Sequence, residues 1–390
     1  MLHNRNNNIL SYIGYTSIFI VFVLVGIGLK KYLHSSETSY HILTDGSRYY
    51  GDLDNDGYPN GEGRMINSEG IIITGFWDSG ELNYGTIESS TYLYEGSIDN
   101  LQANGYGYAE YKNGDIYFGH WQDGIPDGLG KLVSSNDEIS FGFFKEGILT
   151  NPQPFPIGKN VYGIDVSKWQ RHIDWENLYL PSDENGIVSS EGGEYMQPVF
   201  YAIIKATDGK DSDDFYERNY INAKNCGIVV GAYHFLTTKV SINEQVESFI
   251  KTSHLASGDL PPVLDFELPN EVMIKNKKEI CEMALEWLEK IEDHYGVQPI
   301  IYTYYYFIKD YLSDPRFDKY SFFIAYHRPQ IPDAQKWVFW QFSDRVKARG
   351  VTDNYIDVDI FNGNFKTFQN YIRKNGIKEK EGVLNENEVK

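Results

Sequence analysis

Pro261-Pro262-Val263-Leu264-Asp265-Phe266-Glu267-Leu268 is an apolar run carrying two carboxylates one residue apart. Successive side chains of a strand point to opposite faces, so Asp265 and Glu267 share one face while Leu264, Phe266 and Leu268 take the other. The apolar set can pack on helices, which turns both acids inward. Two carboxylates so close raise each other's cost of ionising, and such a pair holds one proton near neutral pH. An isolated Asp-x-Glu is also what a solvated strand end looks like, so the pair takes its meaning from the strands around it.

Eight apolar runs occur between the middle of the chain and its end, at 161–167, 199–207, 228–236, 262–268, 298–304, 321–327, 336–343 and 356–362. Helix-length stretches separate the earlier ones, as at 275–293, where Ile280, Ala284, Trp287, Leu288 and Ile291 fall on one face. The last two gaps, 8 and 12 residues, are short for a crossover helix. Five strand–helix units followed by three strands predict a modified, partly open α/β barrel of (βα)5β3, TIM-like type over 161–375, with reactive groups at the C-terminal strand ends. The stretch 181–198, rich in Ser, Glu and Gly, reads as a surface insertion, and 376–390 as a polar tail.

The strand ends carry the chemistry. Val161-Tyr162-Gly163-Ile164-Asp165 closes the first run, Ile203-Ile204-Lys205-Ala206-Thr207-Asp208 the second and Gly231-Ala232-Tyr233-His234-Phe235 the third. Ile301-Tyr302-Thr303 closes the fifth, Trp340-Gln341-Phe342 the seventh, and Ile356-Asp357-Val358-Asp359 the eighth. In this order and spacing the motifs resemble glycoside hydrolase family 25, the Chalaropsis-type lysozymes, over about residues 161–373. The resemblance implies that Glu267 is the catalytic acid, that Asp265 is its partner, and that Asp165 and Asp357 complete an acidic rim. It also implies a phenol contact and an aromatic sugar platform from Tyr233, Tyr302 and Trp340, with Gln341 beside them. For each aromatic alone, core packing is the plainer reading. Lys205 can hydrogen-bond an acid in the barrel, and His234 reads as structural. Asp208 stands where the family usually has Glu, and Asp359 where it often has Asn. No phosphate-binding loop, dinucleotide fingerprint or His/Cys cluster occurs, so neither cofactor nor metal is expected.

The first part of the chain is of another kind. Tyr50-Gly51, Thr74-Gly75, Glu95-Gly96, Phe118-Gly119 and Phe141-Gly142 recur at spacings of 24, 21, 23 and 23 residues, and the better units add a second pair such as Asn104-Gly105-Tyr106-Gly107. A period in the twenties implies stacked hairpins that bury aromatic faces on their neighbours. The pattern resembles the membrane occupation and recognition nexus (MORN) repeat over 47–149, an all-β array. Residues 41–150 hold 18 Asp and Glu against 5 Lys and Arg, so anionic lipid is a poor ligand for them, and a spacer or protein-docking surface is the expected role. Asp52-Leu53-Asp54-Asn55-Asp56-Gly57 begins like a calcium loop, but Gly63 occupies the position of the required bidentate Glu. The proline-rich stretch within 150–160 separates array from barrel.

Residues 9–29 are uncharged and predominantly apolar, enough to span about 30 Å of hydrocarbon as a helix. Lys30-Lys31 follow without a small-residue cleavage pattern, so 1–34 reads as a short cytoplasmic tail and an uncleaved transmembrane anchor. The chain of 390 residues has a formal net charge of −20, which excludes nucleic-acid partners. Its two cysteines, Cys226 and Cys281, read as unlinked buried thiols.

These readings together imply a membrane-tethered muramidase cutting the β-1,4 bond between N-acetylmuramic acid and N-acetylglucosamine in peptidoglycan, with the barrel periplasmic or extracellular. Acids one residue apart approach a sugar from the same side, which favours retention with assistance from the 2-acetamido group over a flanking nucleophile. The competing reading is a non-catalytic glycan-binding scaffold whose repeats dock partners, and all four carboxylates stand against it. An enzyme of a related acetamido-glycan such as chitin differs from the first only in substrate.

Overall fold

A computed structural model describes residues 39–136, 138–153, 160–190, 192–267, 277–328, 336–352 and 355–378. The predicted membrane span at 9–29, most of the linker and most of the polar tail lie outside the described residues. Among the described residues no helix is long and apolar enough to cross a membrane.

Residues 41–152 form one eleven-stranded sheet in which each strand pairs with the next, from His41–Ile42 to Ile148–Pro152. A single row of glycines runs across it in register: Gly51 faces Gly63, then Gly75, Gly85, Gly96, Gly107, Gly119, Gly130 and Gly142 in turn. The row exists because tyrosine rings lie over it. A Cβ on Gly63 would sit 2.0 Å from the Tyr49 hydroxyl, and one on Gly107 2.5 Å from that of Tyr94. Trp77 and Trp121 close over the same face, so Tyr49, Tyr94 and Tyr117 are fully buried in the aromatic core of the sheet.

The barrel strands are Tyr162–Val166, Tyr201–Asp208, Val229–Phe235, Val263–Asp265, Ile300–Tyr304, Ser321–Ala325, Trp337–Val346 and Ile356–Phe361, called here the first to the eighth. The first seven that neighbour each other in order run parallel, the eighth runs antiparallel to both the seventh and the first, and the first pairs with the second. The ring is therefore closed, not partly open. The expected helix after the first strand is also absent among the described residues. Two 3-10 turns, Lys168–Gln170 and Trp175–Asn177, and a two-stranded ribbon take its place. That ribbon pairs Tyr179–Ser182 with Tyr195–Pro198; Ser182, Val188 and Gln197 are buried and tie the ends of 181–198 to the barrel, while 183–185 and 192–195 between them are exposed.

Helices Tyr216–Asn225, Ile242–Ser253, Lys277–Tyr295 and Tyr305–Tyr311 follow the second to fifth strands, and Phe365–Asn375 follows the eighth. Alternation divides the strand residues cleanly. Ile164, Ala202, Ile204, Val230, Ala232, Leu264, Ile301 and Ile324 face the helices in one apolar cluster. Val161, Tyr201, Ile203, Val263, Ile300, Phe323, Phe339 and Phe361 fill the barrel interior in another. Gly163 makes room for this filling, since a Cβ there would lie 2.1 Å from the Tyr201 ring. Such burial of large apolar side chains contributes about 1.5–3 kcal/mol each. Cys226 and Cys281 are buried free thiols.

Candidate active site

The barrel interior has two storeys. Below lies the apolar filling just described. Above it, at the C-terminal mouth, the inward positions are Asp165, Lys205, Tyr233, Asp265, Tyr302, Gln341 and Asp357, with Asp359 one inward position deeper on its strand than Asp357. Strand pairing sets Asp165 opposite Asp357 and Asp265 between Phe235 and Tyr302. Residues far apart in sequence are thus gathered by alternation plus barrel closure.

The fourth strand ends at Asp265, so Glu267 stands just beyond it, where the reading from sequence had one continuous strand. The alternation nevertheless persists. Phe266 donates its backbone N–H to the Tyr302 carbonyl at 2.9 Å, and Leu264 and Phe266 are buried among the helices. Asp265 is 7% exposed, while Glu267 is half-buried at the rim. Burial, then the neighbouring Glu267 charge, push Asp265 well above the usual carboxylate range, and the Lys205 ammonium opposes this. Burial also raises Glu267, against the Tyr304 phenol and Lys205. Glu267 is the acid better placed to be protonated and reachable together. Leu268 lies outside the described residues.

A second acid group faces this pair. Gln341 donates from Nε2 to Asp165 Oδ2 at 2.7 Å and accepts the Tyr302 hydroxyl at Oε1, 3.1 Å away. His327 Nε2 also meets that Oε1 at 3.0 Å, which assigns the proton to Nε2. Burial raises Asp357 to about 6, with Asp344 adding to the rise and Asp165 and His327 opposing it. Asp165 and Asp359 are raised well above the carboxylate range, by burial first and by Asp357 second.

Lys205 pairs with Asp208 at 3.0 Å, and its Nζ lies 4.8 Å from the centre of the Phe235 ring and 5.9 Å from that of Tyr233. Trp340 is placed differently from the expected platform. It alternates with Gln341, is buried against Phe342, and donates its indole N–H to the Tyr326 carbonyl at 2.7 Å. In that position it packs the wall that holds Gln341. Exposed rings come from elsewhere: Trp169, 71% exposed after the first strand, and Tyr304, 44% exposed at the end of the fifth. His234 is on the helix side, stacked on Trp287 and bonded to Thr207 and Gln245; burial lowers it to about 4, so it is a neutral structural group. Tyr304, His327 and Asp344 were missed in the sequence. Tyr304 ends the fifth strand, His327 lies two residues past the sixth and Asp344 lies in the seventh three residues after Gln341, so nearness to the mouth ends of these strands was the available signal. Among the described residues no group of three or more His, Cys, Asp or Glu could hold a metal ion.

The arrangement can deliver a proton from the rim at Glu267 while deeper carboxylates, of which Gln341 holds Asp165, stabilise positive charge. The model of the family described as glycosyl hydrolases family 25 matches residues 164–351. The uncharacterized protein YegX of Escherichia coli K12 is 34% identical over 227 residues, 57% of this chain and 77% of that protein. Lysozyme M1 of Streptomyces globisporus is 30% identical over 239 residues, 56% of this chain and 75% of the relative. Among solved structures, a bacterial lysozyme from Streptomyces coelicolor covers 55% of this chain and 97% of its own, at 27% identity and a TM-score of 0.46. Kinship over most of the length of these two relatives shows that the chain belongs to glycosyl hydrolases family 25 and is a glycoside hydrolase.

Proposed function

We propose that this chain is a muramidase, hydrolysing the β-1,4 bond between N-acetylmuramic acid and N-acetylglucosamine in peptidoglycan. The observation that carries the reading is the pair Asp265 and Glu267, inward and rim-facing on the same side of the mouth. Relatives named as lysozymes support the substrate class. In this proposal Glu267 protonates the leaving oxygen while the 2-acetamido carbonyl attacks the anomeric carbon. Asp265 orients the acetamido N–H and stabilises the charge that develops, and water then opens the intermediate with net retention. Tyr233, Tyr302, Gln341, Asp165 and Asp357 shape the subsite around the scissile bond, and Lys205 keeps the acid pair from both staying protonated.

The test is mass spectrometry of products from purified cell wall digested by the chain. Muropeptides with reducing-end N-acetylmuramic acid are expected; products with reducing-end N-acetylglucosamine would overturn the bond assignment. Residues 9–29 anchor the chain in this proposal, with the barrel on the non-cytoplasmic side where its substrate lies. Residues 47–149 are proposed as MORN repeats that hold the barrel at a distance or dock a protein, a reading supported by the glycine row and the repeat spacing. Resistance of the membrane-bound chain to extraction by alkaline carbonate checks the anchor.

A further inference from the structure

The sheet does not hang free of the barrel. Strands Gln102–Tyr111, Ile116–Gln122 and Ile125–Val133 lie across the barrel's N-terminal base, opposite the active site. Tyr106 donates its hydroxyl to the Cys226 carbonyl at 3.2 Å, and Phe118 packs so close to Gly227 that a Cβ there would meet the ring at 2.2 Å. Between the two parts remains a chamber of about 300 Å³, walled mostly by apolar side chains such as Phe118, Val133, Val229, Phe368 and Ile372.

One cation is inside it. Lys131 is only 9% exposed, and its Nζ lies 4.9 Å from the centre of the Phe118 ring and 5.0 Å from that of Phe200. It makes no hydrogen bond or ion pair among the described residues, apart from those of its backbone in the sheet. Two ring faces offset part of the cost of burying an ammonium, but no carboxylate answers it. Burial lowers Lys131 to about 8, which still leaves it mostly charged at neutral pH. The walls reverse the charge of the surrounding chain. Arg373 and Lys378 are exposed at the edge and Lys224 pairs with Asp259, whereas Glu110 is the single acid among the lining residues and is itself raised by burial. A single buried ammonium suits a monoanion, and the apolar walls suit a hydrocarbon body.

We propose that this chamber binds an amphiphile with one carboxylate head and one aliphatic chain, the fatty-acid class, with the head paired to Lys131 and the chain lying between the sheet and the barrel base. Binding there would tie sheet to barrel without touching the catalytic mouth. The site is independent of the muramidase reading.

The experiment is photolabelling of the full chain in membranes with a diazirine-bearing laurate and with the matching dodecanol, followed by peptide mapping. Laurate is expected to label peptides containing Phe118, Lys131 or Phe368. The Lys131→Met variant should lose about tenfold or more of that label, while the alcohol labels wild type and variant alike and weakly. Val133→Phe keeps the charge but fills the chamber, and should lose the laurate label as well. Circular dichroism and wall hydrolysis at wild-type levels show that both variants are folded. Laurate label confined to residues 9–29, or chamber label undiminished in Lys131→Met or in Val133→Phe, would overturn the proposal.

Discussion

Gln341 binds Asp165 through Nε2 at 2.7 Å because its carbonyl is already taken by Tyr302 and His327. The amide therefore has one orientation, and it holds one oxygen of a buried acid whose neighbours Asp357 and Asp359 are also acids. Three carboxylates in one low-dielectric space cannot all ionise, so the Gln341 donor selects where negative charge resides.

Gln341→Glu tests this directly. The new carboxyl faces Asp165 in place of a donor. Activity is expected to fall roughly ten- to hundredfold near neutral pH, matching about 1.5–3 kcal/mol for a hydrogen bond to a charged group. The loss should shrink as pH falls and the added acid is neutralised. A pH-rate profile that drops by the same factor throughout would show that shape, not charge, matters at this position.

Glu267→Gln should keep the fold and lose about a hundred- to ten-thousandfold in turnover, because an amide cannot protonate the leaving oxygen. The active form of Glu267 is protonated, so activity falls as pH rises through its raised pKa. Lys205 favours the ionised form of both acids in the pair. Lys205→Met is therefore expected to move the alkaline limb of kcat/KM to higher pH. A shift to lower pH would contradict the placement of its charge.

Asp359 is fully buried, and among the described residues no donor meets either side-chain oxygen within hydrogen-bond geometry, its nearest polar relation being to the Asp165 carboxyl. Its folded-state pKa is raised above the unfolded value, so the folded state binds the proton more tightly. Stability from this group is full below the unfolded pKa and declines as pH rises toward the folded one. Asp359→Asn removes the titration. Its thermal midpoint should exceed that of wild type at pH 7, with the gap closing toward pH 4. A gap that widens on acidification would reverse the assignment.

Gly107→Ala probes the glycine row. The added methyl group meets the Tyr94 ring and hydroxyl at 2.5 Å, with no help from flexible neighbours in a closed aromatic core. Overpacking of this kind costs about 1–3 kcal/mol. Denaturant unfolding should show that loss, and Tyr94→Leu in the same chain should recover part of it by vacating the space. Independent, additive losses would mean that the two positions do not touch.

The strand ends of the barrel were legible because they are local patterns: an apolar run, its alternation and the polar residue that closes it. Asp165, Asp265, Lys205, Tyr233, Tyr302 and Gln341 follow from that rule, and the helical face at Ile280, Ala284, Trp287, Leu288 and Ile291 is an equally local pattern; Asp357 lies near the start of its strand and reaches the same mouth because that strand runs antiparallel to the first. Alternation also separates His234, on the helix side, from Tyr233, on the inner side. The glycine spacing near 23 residues was visible too, though the reason for it, tyrosine rings lying on a continuous row, was not.

What needed the tertiary structure was every relation between residues distant in the chain. Closure of the ring depends on Asp165 and Ile203 meeting across two strands, and on the eighth strand returning antiparallel beside the first. The outward packing of Trp340, the contact of His327 with Gln341, and the chamber around Lys131 are likewise set by which surfaces come together. A sequence by itself determines the period of a strand and the kinds of side chain on each face. Partners across the barrel depend on long-range packing, where the free energy of burial and the cost of an unanswered charge are decided jointly by elements that no local pattern connects.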